Sequence, residues 1–318
     1  MSNKYKPEGL QHKSDKDISL KFINKMCDVG GIIEARVTKS DAECNLYITL
    51  GKNITGIIPF DEVEYSVDNK PIKPIAATSK VGRHIKFKIM SIEQDGDNII
   101  AKCSRREAQK ECYEEFINKL EPGDVIDARA IHIENYGVFC DIGCGIIALL
   151  PTENVCISHI LEPKNELISL KEMKAVVKSR TTDNRIVLTH KELLGTWEQG
   201  ISKFKVGETV KGKVRSIESY GVFISISQNI TGLADPYDGV KVGDEVIVNI
   251  INIYREQMKT KLNIIGIIGK TDTVEKLKFD YYITDGHISH WKYSVDGAKR
   301  NIETIFDDYE NNYVSKEE

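Results

Sequence analysis

The chain has 318 residues, of which 41% are hydrophobic and 29% charged, enough for about two or three folded domains and too apolar for wholesale disorder. A formal net charge of −4 excludes a histone-like polycation but leaves room for a local basic groove. No apolar run reaches the roughly 20 residues of a membrane helix. No apolar core follows the first residues, as a secretory signal requires. The seven cysteines include no Cys-x-x-Cys pair, so they read as reduced thiols in a cytoplasmic protein without a membrane or metal role.

Residues 1–27 are polar and lysine-rich and are expected to be a flexible N-terminal segment. Residues 28–106 read as the first of three repeats, a degenerate copy that runs through Gly30, Ile33, Ala35 and Val37 and brings Tyr47 into its second strand. In residues 107–120, Ala108, Cys112, Phe116 and Leu120 recur every four residues among Glu and Lys, one stripe of an amphipathic linker helix. Residues 121–192 form the second repeat, 193–204 a second linker carrying Trp197 and Ile201, and 205–267 the third repeat. The second and third copies align without a gap, 84 positions apart, so that Gly123, Tyr136 and Phe139 match Gly207, Tyr220 and Phe223. Asn53-Ile54-Thr55-Gly56 likewise recurs as Asn229-Ile230-Thr231-Gly232. Residues 268–318 are expected to be a small α+β appendage. It has a hairpin of 279–284 and 287–294 around Asp285-Gly286, a helix near 298–309, and an acidic tail.

Within a repeat, apolar and polar residues alternate with period two, the pattern of half-buried strands. Ile126 and Ala128 alternate with Asp127 and Arg129; Val138, Cys140 and Ile142 face in while Phe139 and Asp141 face out. Further strands are expected at 147–150, 175–178 and 185–189. About five strands in about seventy residues fit a small closed barrel, which removes the sheet's edges. The fold class is therefore mainly β: three tandem five-stranded closed barrels, which the resemblance given below makes OB-fold barrels, joined by short helices, with the appendage behind them.

The outward aromatics are the informative feature. Phe139 and Phe223 are placed on outer faces, with Tyr136 and Tyr220 at the strand entrances. Leaving such a ring in water forgoes roughly 1.5–3 kcal/mol, and stacking a nucleobase on it returns about 1–3 kcal/mol. Arg36, Arg129 and Lys213 hold one aligned outward position in the three copies, Lys211 and Arg215 extend it, and Arg185 aligns with Lys259 near the last strand. Cations beside rings are the ingredients of a single-strand groove. The ordinary alternative is that each ring packs under a neighbouring barrel or linker. It is the better reading of the first copy, where Cys44 replaces the first aromatic and Tyr47 remains.

Several chemical motifs are incomplete. Gly266-Ile-Ile-Gly269-Lys270-Thr271 lacks the first glycine of a phosphate loop, since Ile264 stands there. His287 and His290 fall in an expected strand, on opposite faces. Cys140 and Cys144 straddle a turn with no second pair to complete a tetrahedral site. No carboxylate pair or nucleophile arrangement recurs, so neither an enzyme nor a cofactor is expected.

Gly207-Glu-Thr-Val-Lys-Gly-Lys-Val214, then Tyr-Gly-Val-Phe, then Thr231-Gly-Leu, and a last strand Arg185-Ile-Val-Leu-Thr189 resemble the RNA-binding OB-fold module named after the first small-subunit ribosomal protein, the S-one domain. The matches cover about three quarters of the chain. With Cys103-Ser104-Arg105-Arg106-Glu107 closing the first copy, the whole is similar to a shortened bacterial homologue of that ribosomal protein. The resemblance implies RNA contact through Tyr136, Phe139 and Arg185 in the middle copy and Tyr220, Phe223 and Lys259 in the last. It also implies a first copy that docks on protein, such as the small ribosomal subunit. The third-strand histidine of the family is missing: Pro59, Pro151 and Asp235 stand in its place. The expected function is binding of single-stranded RNA, such as messenger RNA, in translation, with Tyr47, Arg129, Lys213 and Arg215 completing the contact residues. The alternative is a protein-interaction scaffold on the ribosome or another RNA-processing complex.

Overall fold

The computed structural model describes residues 3–10, 18–66, 71–158, 160–161, 163–167, 171–269, 279–298 and 300–307. Helix α1 (Leu20–Asp28) precedes five strands: β1 (Ile32–Ser40), β2 (Leu46–Gly51), β3 (Ile54–Ile58), β4 (His84–Asp95) and β5 (Asn98–Ser104), with α2 (Pro74–Thr78) between β3 and β4. Helix α3 (Arg105–Glu115) leads to β6 (Val125–Glu134), β7 (Gly137–Gly143), β8 (Ile146–Pro151), the short α4 (Pro163–Glu166), β9 (Met173–Arg180) and β10 (Ile186–Thr189). Helix α5 (Trp197–Ile201) leads to β11 (Thr209–Glu218), β12 (Gly221–Ser225), β13 (Thr231–Ala234), β14 (Glu245–Tyr254) and β15 (Lys259–Gly269).

Each set of five closes into a barrel with the same order, first-second-third-fifth-fourth. The third and fifth strands are parallel in every barrel, while the other neighbours in the first and last barrels, and β9 with β10, run antiparallel. Period-two patterning drives this closure: the inward set of each barrel meets in its own apolar core. In the first barrel Val37, Ile48 and Phe87 are fully buried, in the middle Val138, Cys140 and Leu150, and in the last Val214, Ile224 and Leu262. The last barrel turns from β13 into β14 in a short loop that has no helix, whereas α2 and α4 fill the longer connections of the others.

Two compact units are present, one within Met1–Leu120 with Asp127–Arg129 and Asp141–Ile147, the other Glu121–Ile126, Ala130–Cys140 and Ala148–Glu318. In the first unit, part of the stretch read as loose is ordered. Ser19 caps α1, accepting from the Phe22 N–H, and Ile23 is fully buried in the barrel core. Glu8 is also buried. Its carboxylate accepts from Arg105 Nε (2.9 Å) and Nη2 (3.1 Å) and from the Lys86 N–H (3.0 Å). Arg105 is itself fully buried in the first turn of α3, where the helix dipole disfavours a cation, and its Nη1 donates to the Val63 carbonyl at 3.0 Å. Asp141, expected on the outer face, is buried here instead: it accepts from the N–H groups of Glu8 (2.7 Å), Gly143 (2.8 Å) and Gly145 (3.0 Å). Strand alternation does point it outward, but the N-terminal segment covers it.

In the second unit the appendage forms a two-stranded sheet of β16 (His290–Lys292) and β17 (Glu303–Ile305). The hairpin expected around Asp285-Gly286 is not the pairing adopted. Residues 303–305, expected in a helix, are strand, and the tail from 308 lies outside the described residues. The reason is burial. Trp291, Tyr293 and Phe306 join Val125 and Val176 of the middle barrel, Trp197 and Ile201 of α5, and Ile230 of the last barrel in one apolar cluster. Asn229 ties the same region, accepting from the Ile157 N–H (3.0 Å) and donating to the Gly195 carbonyl (3.2 Å). His190, fully buried, donates from Nδ1 to the Val155 carbonyl (2.8 Å), since a carbonyl can only accept. Its Nε2 therefore accepts from the Tyr281 hydroxyl (3.1 Å), whose oxygen takes the Lys174 N–H (3.2 Å). Burial pushes the His190 imidazole down from 6.5 to about 4.

Two outcomes follow from these buried groups. Glu8→Ala leaves Arg105 uncompensated and is expected to lower the unfolding free energy by about 3–5 kcal/mol in denaturant titrations, with Glu8→Gln milder. For His190, the unfolded chain takes up the proton first as pH falls. Stability is full above pH 6.5 and is lost progressively toward about pH 4, a change of about 3 kcal/mol. Denaturation midpoints across that range should fall in the native chain and flatten in His190→Gln.

Candidate nucleic-acid interface

The inward placement of Val138, Cys140 and Ile142 on β7, and of Val222 and Ile224 on β12, turns Phe139 and Phe223 outward. Both phenylalanines are half-buried. Tyr136 and Tyr220, in the turns before these strands, are 60% and 63% exposed. Each tyrosine meets its phenylalanine edge-to-face, with centroids 6.1 Å apart and planes at 89° in both barrels. The glycine between them is required by close approach. A Cβ on Gly137 would lie 2.6 Å from the Leu150 carbonyl oxygen, and one on Gly221 2.4 Å from that of Ala234. The end of the third strand thus pins the start of the second, and the pair of rings with it.

The cations are placed less uniformly than their alignment suggests. Arg129 donates from Nη1 to the Glu8 carbonyl oxygen, so its guanidinium serves the N-terminal segment. Arg36 donates from Nε to the Gly82 carbonyl at 3.1 Å. Lys213 is half-buried on β11 between Ser225 and Glu245. Arg215 donates from Nε to Ser225 Oγ at 2.8 Å. Arg185, in the turn between β9 and β10, and Lys259, at the start of β15 opposite Tyr254, are exposed. Tyr47 is engaged on two sides: its hydroxyl donates to Asp41 Oδ2 at 3.0 Å, and Lys39 Nζ lies 4.5 Å from its ring centroid. The Asp41 carboxylate raises the Tyr47 phenol above its usual range.

Several residues of the platforms were not singled out by the sequence reading. His132, exposed on β6, lies 6.3 Å from Phe139 with planes 27° apart. Its Nε2 is 2.6 Å from Glu134 Oε1, and Lys164 Nζ is 2.9 Å from Glu134 Oε2. Lys164 and then His132 hold the Glu134 carboxyl below its usual range. An open cavity of about 900 Å³ borders this group, with Tyr136, Glu153, Ser158 and Lys164 in its lining. In the last barrel Asp235, just past the end of β13, pairs with Lys261. The signal that would have found His132 is cross-strand register, not periodicity. His287 and His290 each meet a carboxylate: His287 Nδ1 is 2.9 Å from Asp124, and His290 Nε2 2.9 Å from Glu303. Among the described residues no helix is long and apolar enough to cross a membrane.

No family model matches the chain. It is similar to the "Small ribosomal subunit protein bS1 homolog" of Bacillus subtilis, 26% identical over 78% of this chain and 66% of that protein. It is also similar to "Small ribosomal subunit protein bS1" of Chlamydia trachomatis, 27% identical over 80% of this chain and 46% of that one. The chain thus spans about two thirds of the first relative's length and less than half of the second's. Among solved structures, "a multidomain protein with nucleic acid binding domains" from Streptococcus pneumoniae matches over 74% of this chain and 73% of its own, at 12% identity and a TM-score of 0.23.

Proposed function

We propose that the chain binds single-stranded RNA in translation through its middle and last barrels, as a non-enzymatic, ribosomal-protein-like factor for messenger RNA in the cytoplasm. The observation that carries the reading is the outward ring pair, Tyr136 with Phe139 and Tyr220 with Phe223, built twice with the same distance and angle. A base offers a π-face to such a platform whatever its identity, so stacking suits unpaired strands of varied sequence. Arg185 and Lys259, exposed on the two barrels, supply charge for phosphates, with Lys213 and Arg215 beside the last platform. Similarity to bS1 proteins over most of the chain supports the same reading.

The first barrel favours a different partner. Its Tyr47 is covered by Lys39 and tied to Asp41, which removes the open ring the other barrels present. That barrel is assigned to protein contact, with the small ribosomal subunit as the partner. Arg129 is assigned to holding the N-terminal segment, not to phosphate.

Phe139→Ala with Phe223→Ala should weaken binding of a labelled single-stranded RNA more than about tenfold, with each ring at the low end of the stacking range. Affinity should also fall steadily as salt rises. Unchanged affinity in a folded double variant would sink the reading, and a flat salt series would point to a ligand without phosphates.

A further inference from the structure

One position on the first strand faces the second-strand aromatic in every barrel. Lys39 is the register partner of Tyr47, just past a bulge in β1, and Ser216 is the partner of Phe223, just past a bulge in β11. His132 occupies the same aligned position in the middle repeat, 84 residues before Ser216, and lies beside Phe139. The slot thus holds Lys, His and Ser against Tyr, Phe and Phe.

We propose that this slot sets how each barrel engages an unpaired base, and that His132 is a third stacking ring that makes the middle barrel the principal RNA site. The inference rests on the reading of the barrels as RNA binders and adds a residue that does not stand among that reading's contacts. In the middle barrel the imidazole and Phe139 rings are offset at 6.3 Å and inclined by 27°. A stack with centroids that far apart is strongly offset, so the two rings together span a wider aromatic surface than Phe139 alone. Glu134 holds His132, and Lys164 holds Glu134, so the ring is oriented before any base arrives and less entropy is lost on binding. In the last barrel Ser216 offers no ring, and among the described residues Phe223 pairs with Tyr220. In the first barrel Lys39 lies over Tyr47 and takes the face a base would use. The order of engagement is therefore middle, then last, with the first barrel closed to a base.

The test uses the full chain and a fluorescein-labelled uridine oligoribonucleotide of about 24 nucleotides, long enough for two OB-type sites. His132→Ala should weaken binding about five-fold, the low end for one base–ring contact, while His132→Phe keeps affinity within about two-fold of the native chain. In a Phe139→Ala background, Ser216→His should tighten binding by about three-fold or more by giving the last barrel the missing ring. The salt slope should be the same in native chain and His132→Ala. A slope reduced by about one would make His132 a phosphate contact and overturn the stacking role. His132→Phe as weak as His132→Ala, or no gain from Ser216→His, would also overturn it. If the Phe139→Ala, Phe223→Ala double variant binds normally, the underlying RNA reading fails. If that variant is weak and His132→Ala is not, only the slot fails.

Discussion

Everything outward on these barrels is set by what must go inward. A strand of a small closed sheet has one face in the core, and its next residue is forced to the other. Val138, Cys140 and Ile142 are buried, so Phe139 is exposed to whatever lies outside; Val222 and Ile224 do the same for Phe223. Because the glycine that opens each strand admits the carbonyl of the third strand, the backbone next to the preceding tyrosine is fixed against that strand. The aromatic platforms are therefore a product of core packing, and a slip of one residue in register would bury the ring and expose an aliphatic.

That dependence explains what could be read from residues alone. Alternation and the 84-residue repeat carry strands, barrel closure and the ring pairs, because all of these are encoded locally and then repeated. The buried Glu8–Arg105 pair is not encoded that way: one carboxylate in a polar segment carries no period, and its partner is nearly a hundred residues away. Asp141 alternates outward as its strand dictates and is buried by a segment from elsewhere in the sequence. In the appendage, Asp285-Gly286 is a good local turn, yet the chain pairs 290–292 with 303–305 because Trp291, Tyr293 and Phe306 gain more from a shared cluster. Nothing along its own strand marks His132, whose neighbouring ring, Phe139, belongs to the strand opposite.

The repeats also show where copies of one fold are free to diverge. Inner-face residues stay apolar in all three, while the aligned cations have taken separate partners: Arg36 a loop carbonyl, Arg129 the Glu8 carbonyl, Lys213 a place between two neighbouring strands. Aligned charge thus overstates shared function, whereas the two aromatic pairs, which share geometry to the degree, do not.

The apolar cluster of the second unit joins residues of the middle barrel, α5, the last barrel and the appendage without a break. On the proposed RNA reading, two sites carried on one such body act as a bivalent receptor: a strand held at one meets the other at high effective concentration, with no tether to order first. In that reading the aromatics of the appendage, by joining the two barrels in one cluster, act on the avidity of the pair rather than on either contact.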